Sequence, residues 1–373
     1  MDTPPARSPR SPGRVGAGVT LRQVADAAGV SRSTAARTLG NYGTVDPVLQ
    51  AKVLAAAEEL GYRRNALARS VSSGRSNTIG VVVSDIEDPH FARTVRGISD
   101  VAGRHGFEVI LANTDEKIDA ERSAVKVFLD KRVDGFIVTP ASGMVSTHLD
   151  EILRMPRPLV LVDRFLPGLD CDWVGADDYA STYAVIERLA DAGHRRIDLV
   201  AATSRPVIEI EQGIAQPISP IARRIQALRE AAAALGVEYR LHTGAMSRDR
   251  TRQVVRAALD LPDPPTALLA SYSEIALTAF QELRHRRLAV PRRLSLVSLD
   301  DAQWMTVSTP AISAVQRPSY AMGVRATEVL LARMAGEGPP GRAHTLPNLI
   351  IDRESIGPVQ LTTLGPSGQK GPR

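Results

Sequence analysis

The sequence predicts an all-α helix-turn-helix head, joined by a linker to an α/β core of two doubly wound subdomains. Three observations predict it. A small-residue segment near the start, VADAAGVSRSTAARTLG (24–40), is broken in the middle by Gly-Val-Ser. The first 75 residues carry 11 Lys/Arg against 5 Asp/Glu, a net +6, whereas the whole 373-residue chain is +5, so the remainder sums to −1. From Thr78 onward, short apolar runs alternate with helical patterns, which is how parallel strands covered on both faces read.

Residues 1–18 are rich in Pro, Ser and Gly and carry Arg7, Arg10 and Arg14, so they read as a disordered tail, as do 358–373. Residues 19–62 read as three short helices. Leu21, Val24, Ala25 and Ala28 form one apolar stripe, and Gly29 supplies a residue that accepts positive φ. Ser31 is a natural N-cap for the second helix, in which Ala35, Ala36 and Leu39 face inward while Arg32, Ser33 and Arg37 face out. Asp46 caps a third helix with Pro47 at its first position, a stripe of Leu49, Val53, Ala56, Ala57 and Leu60, and Gly61 as the stop. Two short helices crossing steeply need small residues at the crossing, and the pattern is that of a helix-turn-helix. Such a second helix enters the DNA major groove, where arginine holds guanine O6 and N7 with two hydrogen bonds. A basic segment on a nearly neutral body points the same way.

Residues 63–77 read as a hinge helix or linker, and 78–357 as the core. Its strands are IGVVV, EVILAN, GFIVTP, PLVLVD, RIDLVAA, TALLAS, LSLVSLD and AISAVQ, with glycine stops at Gly106 and Gly193 closing two helices. About ten strands exceed one small domain, hence two subdomains with a ligand crevice at the strand carboxyl ends.

Composition narrows the function classes. Hydrophobic residues make up 43% of the chain, enough for sizeable cores. The single Cys171 permits no internal disulfide, which suits a reducing compartment. No apolar run is long enough for a membrane span, and the start lacks the apolar region of a signal peptide, so the expected location is cytoplasmic. No P-loop, no GxSxG and no metal-spaced His/Cys cluster occurs, so no catalysis, metal or cofactor is expected.

The stretch VTLRQVADAAGVSRSTAARTLGNYGTVDPVLQAKVLAAAEELGYRRNALARS, followed by TIGVVVSDIEDPHF, resembles the LacI/GalR family of bacterial transcription regulators, and VDGFIV, LVDR, LADAGHRRI and SLDDAQW extend the likeness to about Gly357. The resemblance implies a homodimer on a near-palindromic double-stranded operator, a periplasmic-binding-protein-like core, and a small effector, a sugar or related metabolite, modulating a repressor. It implies base contacts from Arg32, Ser33 and Arg37, backbone contacts from Thr20, Ser31, Thr34 and Asn41, and a hinge helix with Ala68, Arg69 and a minor-groove wedge. The wedge is Val71 where the family has leucine; valine is shorter and favours helix less. Ala35-Ala36, Gly40 and Leu49-Gln50 also depart from the usual Val-Ser, Asn and Thr-Arg.

For the effector, the resemblance implies His90, Phe91, Asp163, Arg224 and Asp300. Tyr272 falls where the family has the first residue of an Asn-Asp pair that grips sugar hydroxyls. That substitution leaves open a different sugar, a non-sugar, or a degenerate pocket controlled by a protein partner or acting without ligand. A solute-binding protein is the remoter alternative, opposed by the fused head. Trp304 could stack on a ligand or pack at the subdomain hinge, and packing is the favoured reading.

Overall fold

The structure, a computed structural model, describes residues 19–40, 42–62, 75–143, 147–155, 157–214 and 217–359. They form two compact units, one up to Ser76 and one from Asn77.

The first unit holds α1 (Leu21–Ala28), α2 (Arg32–Gly40) and α3 (Pro47–Glu59). Thr20 and Gln23 form a capping box on α1, and Gly29, at φ +66°, turns its N–H back to the Ala25 and Asp26 carbonyls. Thr34 N donates to Ser31 Oγ at 3.1 Å, capping α2. Asp46 Oδ1 accepts from Val48 N at 2.8 Å and Leu49 N at 3.3 Å, with Pro47 at the first turn of α3. Val24, Ala25, Ala35, Val53, Ala56 and Ala57 make the core. Four inward expectations change, and one residue not expected inside joins the core. Thr38 is buried, while Ala36 and Leu39 stop at the rim. Leu49 and Leu60 are exposed. Helices of two or three turns meet at one crossing, so only residues level with it reach the centre.

The second unit contains two lobes. The chain enters the first through β1 (Thr78–Val83), α4 (Pro89–Arg104), β2 (Glu108–Asn113), α5 (Ile118–Asp130), β3 (Gly135–Val138), α6 (Thr147–Arg154), β4 (Leu159–Val162) and β5 (Asp172–Ala176). It crosses to build α7 (Asp178–Asp191), β6 (Arg196–Val200), α8 (Val207–Glu211), α9 (Ser219–Leu235), β7 (Glu238–His242), α10 (Arg248–Leu259), β8 (Ala267–Ala270), α11 (Ser273–His285), β9 (Ser295–Ser298), α12 (Trp304–Val307) and β10 (Ser313–Gln316). It returns for α13 (Ser319–Met334) and β11 (Ala343–Leu346), then crosses again to β12 (Leu349–Ile351).

The first sheet runs β11-β5-β4-β3-β1-β2, the second β12-β10-β9-β8-β6-β7. All neighbours are parallel except β10 and β12. In each sheet the order reverses beside the first strand, at β1/β3 and at β6/β8. Crevices open at such points, outside the strand carboxyl ends. Four strands, β5, β7, β11 and β12, go beyond the sequence expectation; β7 (EYRLH) is a half-exposed edge strand with no apolar run.

Three links join the lobes, around Asp177, Arg317 and Asn348. Asn348 Nδ2 donates to the Asp177 carbonyl at 3.2 Å and to Ser181 Oγ at 2.9 Å, tying the third link to the first. In the first lobe α4 lies against α13 so closely that a Cβ on Gly323 would sit 2.0 Å from the Thr94 carbonyl. Glycine at this crossing fixes α4, whose first turn carries His90 and Phe91.

Candidate nucleic-acid interface and interlobe cleft

On the head, Arg32, Ser33 and Arg37 all project from α2 into solvent. Neither arginine has an acidic partner within ion-pair distance among the described residues, so both guanidiniums are free for an external anion or base edge. Ser31 Oγ lies 2.8 Å from Ser33 Oγ and 2.9 Å from Thr34 Oγ1, a hydroxyl cluster at the helix start. The N-terminal end of a helix favours anions, so this cluster suits phosphate contact. Thr20 lies at the start of α1, its hydroxyl donating to Gln23 Oε1 at 2.9 Å. The Gly40 substitution has a local reason: a Cβ there would collide with the Tyr42 ring. The Arg37 stem lies over Gly43, which takes φ +70°. Asn41, Ala68, Arg69 and Val71 lie outside the described residues.

In the core, a cleft of about 790 Å³ opens between the lobes. Its walls come from the loops after β1, β2 and β3 on one side and after β6, β7 and β8 on the other, the two reversal points of the sheets. Of the six effector positions, Phe91 and Tyr272 line it. The other four, His90, Asp163, Arg224 and Asp300, are buried toward the links and do not line it.

Three of the four, His90, Asp163 and Arg224, make internal ion pairs. Asp163, at the end of β4, pairs with Arg317 from the second link. His90 Nε2 stands 3.3 Å from Asp163 Oδ1, and its Nδ1 shares a 2.7 Å hydrogen bond with Ser319 Oγ. Asp88 Oδ1 accepts from His90 N at 2.8 Å and so caps α4. Burial opposes charge on Asp163, but Arg317, His90 and Arg164 outweigh it and hold the carboxyl well below the usual range. Asp163 has φ +69°, an uncommon conformation for a non-glycine residue that the ion pairs around it hold in place. Arg164 grips both oxygens of Glu116 at 2.6 Å and donates to the Pro140 carbonyl at 2.9 Å. Arg224 donates from Nε and a terminal nitrogen to Asp178 Oδ1 at 3.0 and 2.7 Å, and to the Ser271 carbonyl at 2.5 Å. Its guanidinium lies 5.9 Å from the centre of the Tyr272 ring. Asp300 differs: burial pushes its carboxyl up to about 6, only partly offset by Arg317 and His90.

Sequence reasoning did not single out Arg317, Asp178 or Glu116. Their partners sit 154, 46 and 48 residues away. Arg164 stood inside the quoted LVDR motif without a role. Trp304 packs within the second lobe, stacked on Phe280 with ring centres 6.2 Å apart, and not at the hinge. Cys171 is buried, and burial pushes its thiol up to about 12. Among the described residues no helix is long and apolar enough to cross a membrane.

Comparison with known proteins converges on one family. Residues 20–65 match the bacterial regulatory proteins of the lacI family, and residues 186–356 a periplasmic binding protein-like domain. The chain is 30% identical to the HTH-type transcriptional regulator PtxS of Pseudomonas aeruginosa over 345 residues, covering 91% of this chain and 96% of that one. It is 26% identical to the transcriptional regulator CelR solved with cellobiose, with a TM-score of 0.66 over 90% of this chain and 99% of that one. At 22% identity, the lac repressor dimer bound to operator and the anti-inducer ONPF shares the fold, with a TM-score of 0.79 over 91% of this chain and 100% of that one. The chain belongs to the LacI family of bacterial regulatory proteins and is a DNA-binding transcription regulator.

Proposed function

We propose that this regulator is a cytoplasmic homodimer whose two heads read a near-palindromic operator and whose core closes on a small-molecule effector, a sugar or related metabolite. Residues 19–62 are the reading head, 63–77 the hinge and 78–357 the effector and dimerisation core. Repression is the mode assigned, and no catalysis. The observation that carries the reading is the free, outward pair Arg32 and Arg37 on a capped helix, in a chain that also carries a two-lobed core with an open cleft. Arg32, Ser33 and Arg37 contact bases; Thr20, Ser31, Thr34 and Asn41 contact the backbone; Ala68, Arg69 and Val71 enter the minor groove. The cellobiose complex of CelR supports a sugar in the cleft. Phe91 and Tyr272 form its walls, while His90, Asp163, Arg224 and Asp300 control how far the lobes close. By linkage, whatever the effector does to operator affinity, the operator does to effector affinity by the same factor.

The test is a pull-down of genomic fragments by the purified chain at physiological salt, with sequencing of what is retained. The expected result is one shared near-palindrome. Retention without any shared sequence, with or without added sugars, overturns the reading. Val71→Leu is expected to bind that operator more tightly and bend it more; an unchanged bend angle in a circular-permutation gel counts against the wedge.

A further inference from the structure

The cleft's charge is one-sided. Asp85, Glu87, Asp88, Asp115, Glu116 and Glu274 line it. Arg164 neutralises Glu116, and Lys117 stands 3.6 Å from Asp115. The other four have no cation within ion-pair distance among the described residues. Among the described residues, the cations lining the cleft against them are Arg205 and Arg248, both on the second lobe, and Arg248 is turned toward Gln281 Oε1 at 3.0 Å. The arginines behind the cleft offer an anionic ligand nothing. Arg164, Arg224 and Arg317 are buried, and each already holds a carboxylate of its own chain. The aromatic groups agree with the charge. Tyr272 already accepts a guanidinium near its ring, as aromatic rings attract cations, and the largely buried Phe91 backs the opposite lobe.

We infer that the ligand of this cleft carries an ammonium group, as an amino sugar does, and that sugar acids and sugar phosphates are excluded. A concave acidic site with low-dielectric walls concentrates cations before any specific contact forms. The inner arginine cannot turn to a carboxylate ligand without leaving Asp178 buried and unpaired. This inference rests on the effector reading above and names the ligand class of the same cleft.

The first experiment needs neither DNA nor effector, so it stands apart from the operator test. Ser273→Cys places a thiol on the cleft wall, and Cys171 stays silent because it is buried. The full chain is treated with two methanethiosulfonates of similar size, one bearing trimethylammonium and one sulfonate. The ratio of their rates is compared with the same ratio for 2-mercaptoethanol. It is expected to be at least about tenfold higher in the cleft at low salt, and to collapse on adding Glu87→Gln and Glu274→Gln. Both glutamates are exposed and make no side-chain bond, so the variants keep their fold. A ratio within about twofold of the free thiol, or one unmoved by the glutamine changes, overturns the inference. The second experiment is thermal melting of the unmodified chain with 20 mM glucosamine or glucuronate, a probe concentration of about that order being enough for millimolar binding. Glucosamine is expected to raise Tm and glucuronate to leave it unchanged. A larger shift with glucuronate, or none with glucosamine, overturns the assignment to an amino sugar.

Discussion

Arginine serves opposite ends in the head and in the core. On α2, Arg32 and Arg37 stand in solvent without an acidic partner among the described residues. In the core, Arg164, Arg224 and Arg317 are buried and each is paired to a carboxylate from a distant part of the chain. The difference is one of desolvation. A guanidinium in water is free to trade its hydration for phosphate or guanine. A buried one has lost its water and must hold an internal anion continuously. The head's arginines are therefore available to a ligand, and the core's are part of its internal framework, with Arg317 alone of the three standing on a link between the lobes.

The contrast is broken hardest by removing a buried partner. Asp163→Ala removes the carboxylate paired with Arg317 and puts alanine at φ +69°, a conformation that aspartate tolerates better. It is expected to cost about 3–5 kcal/mol, read by urea unfolding of the full chain. A loss below about 1 kcal/mol would mean that water reaches the pair in solution.

Next is Asp300, which should respond to pH in the opposite sense to Asp163. Its folded pKa is raised to about 6 from 3.8 by burial, so its stabilisation is complete below about pH 4 and is lost as pH rises through 6. Asp163 is held low, so its contribution is present above the ordinary carboxylate range and disappears on acidification. Asp300→Asn is therefore expected to gain on the parent chain by up to about 3 kcal/mol between pH 4 and pH 8. Chemical denaturation at the two pH values measures it, and a difference independent of pH removes Asp300 as the titrating group.

Arg37→Ala sharpens the other side of the comparison. Stability should change by less than about 0.5 kcal/mol, since the side chain is exposed and unpaired. Discrimination between operator and random DNA should fall by about 1–3 kcal/mol, measured by anisotropy at fixed salt. Asn41→Ala should weaken both DNAs alike. Equal losses on both DNAs for Arg37→Ala would remove it from base reading.

The smallest effect expected is at the start of the reading helix. Ser31→Ala deletes the cap on Thr34 N and is expected to cost about 1 kcal/mol, seen as faster amide exchange in the first turn of α2.

Much of the head was legible because its signals are local. Caps at Thr20, Ser31 and Asp46, Pro47 at a first turn and Gly29 at positive φ each act within a few residues. Most inner strands of both lobes were equally legible, since a strand buried on both faces reads as a continuous apolar run; β5, DWVGA, has no such run and was missed. The strands β7, β11 and β12 were not legible either. EYRLH is half-exposed, and LII is a short antiparallel strand whose pairing with β10 lies outside its own sequence. In the head, periodicity placed Leu49 inside, but the crossing of three short helices left it exposed and brought Thr38 in.

At the cleft, the positions that matched the family were found, but not what surrounds them. Phe91 and Tyr272 reach the opening, while His90, Asp163, Arg224 and Asp300 lie behind it. The sequence alone determined the helices, their caps, the paired α/β lobes and the arginines exposed on α2, because these follow from short-range periodicity and backbone chemistry. Only the tertiary structure decided which arginines are held internally and which carboxylate stays hard to ionise. Ion pairing and desolvation depend on groups that folding brings together from as far apart as residues 163 and 317.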